Sequence, residues 1–356
     1  MSQRFRNRSV SLWSHVTHEE HGLPNDRPIF VVGCPRSGTT MLGLMIHAHP
    51  RLAMPPESRF LIHTWRRRHD FGDLQTEEQR LALADAITRT GSMIRELGLR
   101  KKETMEAILE APPTIGSALG TVFKMYADLH GKARWGDKRP VYFREVDVLR
   151  RLFPDAQFIH VIRDGRANVA SLKRMPWWHY TSVSAMSMWS QAESCMRRNA
   201  SKLPADTFHT IRYETLVADP RPVLEEMCAF LEEDFHEAML EPHKVNNVIP
   251  DRKVWHENLK RGVSQDRVES WRTELEPWEL GLMETVVRRK LRRHGYEISG
   301  AGRRPTMTEL RRYAAVARES RSQWSRRWSY EAREARAATY PVAAQLTSRQ
   351  KALALP

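Results

Sequence analysis

The 356-residue chain is long enough for one large domain with appendages, and its 41% hydrophobic and 28% charged residues exclude a disordered protein. A net charge of +14 raises nucleic acid as a partner, but twelve of the basic and only four of the acidic residues fall in 301–356, and no recognition-helix, ribonucleoprotein or zinc spacing supports it. Three scattered cysteines (Cys34, Cys195, Cys228) cannot form a disulfide framework, and no run of about 18 apolar residues offers a membrane span. With no signal-peptide pattern in the first residues, a cytoplasmic protein is expected.

In chain order, "PIFVVG" (28–33) is β-branched, apolar and closed by glycine, which predicts a buried strand. "TTMLGLMIHAHP" (39–50) predicts a helix stopped at Pro50. Helical periodicity fills 76–130, broken at "APPT" (111–114). "ARWGDK" (133–138) predicts a second strand, "VYFREVDVLRRLF" (141–153) a helix and "DAQFIHVIRD" (155–164) a buried strand. Helices follow at 166–173 and 184–200, then a strand in "DTFHTIRYE" (206–214) and a helix at 220–233. The pattern weakens into a polar, basic loop over 241–271, a length that suits a functional element. A helix over 277–297 and an arginine- and alanine-rich tail expected outside the core complete the chain.

Alternating strands and helices predict an α/β fold with a mostly parallel sheet. The organisation expected is an N-terminal extension over 1–27, a domain over 28–300 with a helical insertion near 70–130, and a basic helical tail over 301–356. In that tail Leu310, Tyr313, Ala317, Trp324 and Trp328 recur on one helix face. The stripe suits packing on the domain or on a second copy of the chain; with the surrounding arginines it also suits peripheral contact with an anionic membrane.

The chemistry starts at "GCPRSGTT" (33–40). Gly33 and Gly38 stand in the spacing of a phosphate-binding loop between strand and helix, where loop amides and the helix N-terminus converge on an anion. Gly38 permits close approach, Ser37, Thr39 and Thr40 offer hydroxyls, and Arg36 offers a fixed cationic fork. A nucleotide triphosphatase needs Lys where this chain has Thr39, which argues against ATP or GTP hydrolysis. Further along, Arg163 ends the strand of "VIRDGRANVASL" (161–172), at the sheet edge where open α/β folds bind ligands, with Ser171 inside the next helix. Asp164 and Arg166 fit a local salt bridge capping that helix.

Four blocks in order carry a family resemblance: "GCPRSGTT", the run 134–164 from "RWGDK" to "VIRD", "VIRDGRANVASL" and "IRYETLVADPRPVLEEMCAFL" (211–231). Together they resemble sulfotransferases that use 3′-phosphoadenosine 5′-phosphosulfate (PAPS), with protein-tyrosine sulfotransferases and related bacterial enzymes nearest in pattern. The resemblance implies a P-loop-like three-layer fold and transfer of a sulfuryl group from PAPS to a hydroxyl or amine, without a metal. It assigns the 5′-phosphosulfate to the first loop, neutralisation of the leaving phosphate to Lys138, the 3′-phosphate to Arg163 and Ser171, and a place near the nucleotide to Tyr213, where a core tyrosine is the alternative. Arg36 and Lys138 would stabilise charge developing on the transferring group.

The basic residue that tyrosine-sulfating enzymes carry after the serine falls here on Lys173 or Arg174, in shifted register. "KRGVSQDRVESW" (260–271) resembles the family's late nucleotide-covering loop, which makes Lys260, Arg261 and Ser264 candidates. The acceptor must lose a proton, and Glu57, after Pro55 and Pro56, holds the place of the family's acidic base. Another branch uses histidine, which makes His63 the rival, with His47 and His49 expected to be structural. A small-molecule, glycan or lipid acceptor is expected, and the aromatic stretch "MPWWHY" (175–180) would help shape its pocket.

Overall fold

The computed structural model describes residues 25–89, 91–245, 265–337 and 341–353. Five parallel strands form one sheet: β1 (Ile29–Gly33), β2 (Leu52–Ala53), β3 (Arg134–Lys138), β4 (Gln157–Ile162) and β5 (Phe208–Arg212), in the spatial order β2-β3-β1-β4-β5. Alternation along β1 divides the core. Phe30 and Val32 join one apolar cluster with Leu119, Phe123, Leu149 and Trp189, whereas Ile29 and Val31 join another with Leu42, Met45, Leu216 and Met227. Apolar residues on both faces are what a parallel sheet between two helical layers requires.

The crossovers are helical. α1 (Thr39–Ala48) follows β1, and α2 (Phe60–Arg66), α3 (Glu77–Thr88), α4 (Gly91–Glu96), α5 (Lys101–Glu110) and α6 (Ile115–Leu129) lie between β2 and β3. α7 (Val146–Leu152) leads to β4; α8 (Gly165–Lys173) and α9 (Ser182–Ala200) lead to β5. α10 (Tyr213–Ala218), α11 (Pro220–Leu231), α12 (Trp271–Glu274), α13 (Pro277–Val286) and α14 (Arg288–Arg293) follow, then the long α15 (Met307–Ala337) and the short α16 (Ser348–Leu353). Two predicted helices are each divided. The 141–153 run becomes a 3-10 turn (Pro140–Arg144) and then α7, and the 277–297 run breaks between α13 and α14. β2 was not anticipated, because two residues are too short to show a period.

The tail corrects the expectation that it stands outside the core. Leu310, Tyr313, Val316 and Trp324 of α15 pack against the main cluster, and Arg198 of α9 lies 5.0 Å over the Trp324 ring. The side chain of Trp328 lies outside the described ones. The carbonyls of Pro341 and Val342 accept from the Ile115 and Gly116 amides at 3.1 and 2.8 Å, capping α6, and Ala344 is buried. Gly116 is required here: a Cβ would lie 2.4 Å from the Leu152 carbonyl oxygen and 2.5 Å from the Ala344 nitrogen. The tail returns because it satisfies amides that the start of a buried helix leaves without partners.

Candidate active site

Sheet register alone gathers the site. Val31 pairs with Lys138 on one side, and Gly33 with Val161 on the other. The loop 34–38 therefore emerges between the carboxyl ends of β3 and β4, flanked by Lys138 and Arg163. The strand order changes direction around β1, which is where open α/β sheets form their ligand crevice.

The loop is held in an uncommon conformation. Arg36 has φ 73° and Gly38 φ 94°. Gly38 is required twice over, because a Cβ there would also meet the Tyr213 ring at 2.4 Å. Asn168 of α8 ties the loop down, its Nδ2 donating to the Pro35 carbonyl at 2.8 Å and to Ser37 Oγ at 3.2 Å, while the Cys34 thiol donates to its Oδ1 at 3.3 Å. Gly38 caps α1 without a side-chain hydrogen bond, so the first-turn amides are left for another acceptor. Thr39 is buried beside them.

On the β4 side, Arg163 donates through Nη1 to the Arg36 carbonyl at 3.0 Å and through Nη2 to the Arg267 carbonyl at 2.6 Å, and lies 4.5 Å over the Tyr213 ring. Its Nε is buried with no hydrogen-bond partner among the described residues. Arg36 Nε donates to Ser171 Oγ at 3.1 Å. Burial first, then the neighbouring Arg163 and Arg174 charges, push the Arg36 guanidinium down to about 10; it stays cationic at neutral pH. Burial likewise lowers Arg163. Crowded cations, an uncapped helix start and an orphaned guanidinium N–H are the features of a site for a multiply charged anion.

On the β3 side, Lys138 Nζ donates to Glu57 Oε1 at 2.6 Å and to Thr40 Oγ1 at 3.0 Å. Its side chain is 6% exposed and that of Glu57 31%, so the ammonium is enclosed while the carboxylate reaches solvent. The structure thus joins Arg36, Ser37, Gly38, Thr39, Thr40, Glu57, Lys138, Arg163, Ser171 and Tyr213 through contacts around one loop. Arg261, Ser264 and Lys260 lie outside the described residues.

The other candidates separate. His47 is buried and accepts from the Met54 amide at 2.9 Å through Nδ1, and burial lowers it to about 3. His49 bonds the Asp234 carbonyl at 2.8 Å and accepts from the Arg51 amide at 3.1 Å. Both are structural. His63 is exposed on α2. Lys173 donates to the buried Glu279 at 2.6 Å. Arg174 pairs with Glu274, and its charge is among those that lower Arg36 and Arg163. Asp164 accepts from the Arg166 amide at 2.8 Å and from its guanidinium, the expected cap and salt bridge.

A profile of the sulfotransferase family matches residues 28–237. The chain belongs to the sulfotransferase family. It is 27% identical over 236 residues to a protein-tyrosine sulfotransferase of Drosophila melanogaster, a match covering 64% of this chain and 42% of that protein. It is 26% identical over 283 residues to the nodulation protein NoeE of Sinorhizobium fredii, covering 72% and 63% respectively. The chain therefore spans less than two thirds of these relatives. In fold, the chain resembles the sulfotransferase domain of the Synechococcus PCC 7002 olefin synthase, with a TM-score of 0.55 and 24% identity over 80% of this chain and 99% of that one. The sulfotransferase domain of the curacin biosynthetic pathway gives the same TM-score at 20% identity, covering 76% and 98%. Among the described residues no helix is long and apolar enough to cross a membrane.

Proposed function

We propose that the chain transfers a sulfuryl group from PAPS to a hydroxyl acceptor, with Glu57 as general base. The observation that carries this reading is the Lys138 ammonium, held between Thr40 of the anion loop and the Glu57 carboxylate. It links the place for a leaving phosphate to the place for a proton acceptor. A nucleotide kinase could also use such a carboxylate, and what disfavours that reading is Thr39 in the place of the phosphate-binding lysine.

The residues fit the donor. The uncapped α1 amides and Arg36 suit its 5′ anion; Arg163, whose buried Nε has no partner among the described residues, and Ser171, which accepts from Arg36 Nε, suit the 3′-phosphate. When bound, the donor supplies a sulfuryl group on a phosphate leaving group. Glu57 Oε then takes the acceptor's proton, and Lys138 meets the negative charge that develops next to Thr40. Arg36 meets it from the other side of the loop. The charge is handled by fixed cations, so the reading calls for no metal.

Relatives named protein-tyrosine sulfotransferases favour a phenolic hydroxyl. The partly exposed rings of Trp177 and Tyr180 suit a phenol, a glycan or a lipid. A cytoplasmic enzyme fits the reading. Arg311, Arg312, Arg318, Arg321 and Arg326 are exposed on α15, and would serve a peripheral contact with an anionic membrane. The test is a screen of purified protein with sulfur-labelled PAPS against phenols, a tyrosine peptide and cell extracts. Label transferred with release of 3′,5′-phosphoadenosine supports the reading, and the labelled product names the acceptor.

A further inference from the structure

We infer that Ser58 and the buried carboxylate of Asp137 are positioning residues that fix Glu57 against Lys138. The inference rests on the reading of Glu57 as the base. Each of the two proposed catalytic groups has one of these residues as its immediate chain neighbour. Ser58 follows Glu57, Asp137 precedes Lys138, and Ser58 Oγ donates to Asp137 Oδ2 at 2.7 Å. Ser58 and Asp137 are both fully buried, so solvent does not compete for that bond.

The carboxylate is saturated with donors. Tyr142 Oη donates to the same Oδ2 at 2.7 Å, and the Lys138 amide donates to Oδ1 at 2.9 Å. Asp137 is itself fixed, because Phe30 pairs with it across the sheet. The Glu57 loop is thereby anchored one residue after the base, while Pro55 and Pro56 restrict φ on the side before it. Burial pushes the Asp137 carboxyl up to about 6, opposed by the Tyr142 and Ser58 hydrogen bonds. It is ionised at neutral pH and accepts all three bonds, whereas protonation would put a competing hydrogen on an oxygen. The Ser58–Asp137 bond ties the base loop to the strand of the lysine beside the Lys138–Glu57 hydrogen bond itself.

The test uses the full chain, sulfur-labelled PAPS, and water as the acceptor, so that no acceptor need be known. Assayed well below the melting transition, which the lost buried hydrogen bond should lower by a few degrees, Ser58→Ala should lower the rate of label release about tenfold, leaving the KM for PAPS and the affinity for 3′,5′-phosphoadenosine unchanged. Ser58→Thr should restore the rate. Asp137→Asn, which keeps the volume but turns a donor toward a donor, should lower the rate in the same way and flatten any acid limb near pH 6. In a Glu57→Gln background, Ser58→Ala should cost less than twofold more, because a positioning residue has nothing left to position. Full activity in Ser58→Ala beside a dead Glu57→Gln overturns the inference and leaves the base reading standing. A repeated tenfold loss in the Glu57→Gln background also overturns it. Full activity in Glu57→Gln alone refutes the base reading, and this inference with it.

Discussion

Arg163 has two roles that one variant can separate. It braces the loop through the Arg36 carbonyl, and its buried Nε is proposed to meet the 3′-phosphate. Arg163→Ala removes both. Losing the brace weakens every nucleotide alike, because each needs the loop. Losing the phosphate contact weakens only nucleotides with a 3′-phosphate. A charge-assisted hydrogen bond is worth about 1.5–3 kcal/mol, so Arg163 with Ser171 should favour 3′,5′-phosphoadenosine over AMP by roughly 3 kcal/mol. That is about a hundredfold or more. Titration calorimetry at fixed ionic strength should show this ratio in the native protein and its collapse to within about tenfold in Arg163→Ala. The absolute AMP affinity should also fall through the loop. Equal affinity for both nucleotides in the native protein refutes the assignment. So does a variant that loses affinity for both in the same proportion.

The remaining predictions address other links. Glu57→Gln should keep donor affinity and lose about a hundredfold or more in turnover, whereas Lys138→Ala should lower both; full activity in Glu57→Gln with a dead His63→Ala would transfer the role to His63. His47 is held neutral, with its folded-state value pushed below 6.5 to about 3. Its contribution to stability is complete above pH 6.5 and is lost as pH falls toward 3, by up to about 1.4 kcal/mol per pH unit. Urea melts at pH 7 and pH 5 should therefore differ less in His47→Asn, which keeps an acceptor for the Met54 amide, than in the native protein. Truncation after Gly300 should destabilise the domain by several kcal/mol, because the Ile115 and Gly116 amides lose their acceptors and Asp155 loses the Thr347 and Gln350 donors. A truncated chain that melts like the full one would contradict this.

The sheet was legible because buried parallel strands are short apolar runs punctuated by glycine and helices, and 28–33 and 155–164 have that form. The anion loop was legible because its glycine spacing is local. What was not legible depends on partners distant in the chain. Asn168 meets Ser37 across 131 positions, and Asp137 meets Ser58 across 79, so no spacing rule marks either residue. Lys138 read as an ordinary strand-end lysine until the family resemblance assigned it a task; sheet register then set it beside the loop. The tail's periodicity marked an apolar face on α15, but not α9 as the surface it covers, and the capping of α6 by 341–342 leaves no local trace at all. Lys173 and Arg174 likewise pair with carboxylates about 100 residues away, on α13 and α12, which no local pattern marks.

The most direct test of the account is transfer itself. Purified protein incubated with sulfur-labelled PAPS and a tyrosine peptide, a simple phenol and a glycolipid in separate reactions, without added metal, should label at least one acceptor hydroxyl and release 3′,5′-phosphoadenosine in equal amount. Binding of 3′,5′-phosphoadenosine with no label transferred to any hydroxyl, in these reactions or in cell extract, would contradict the account.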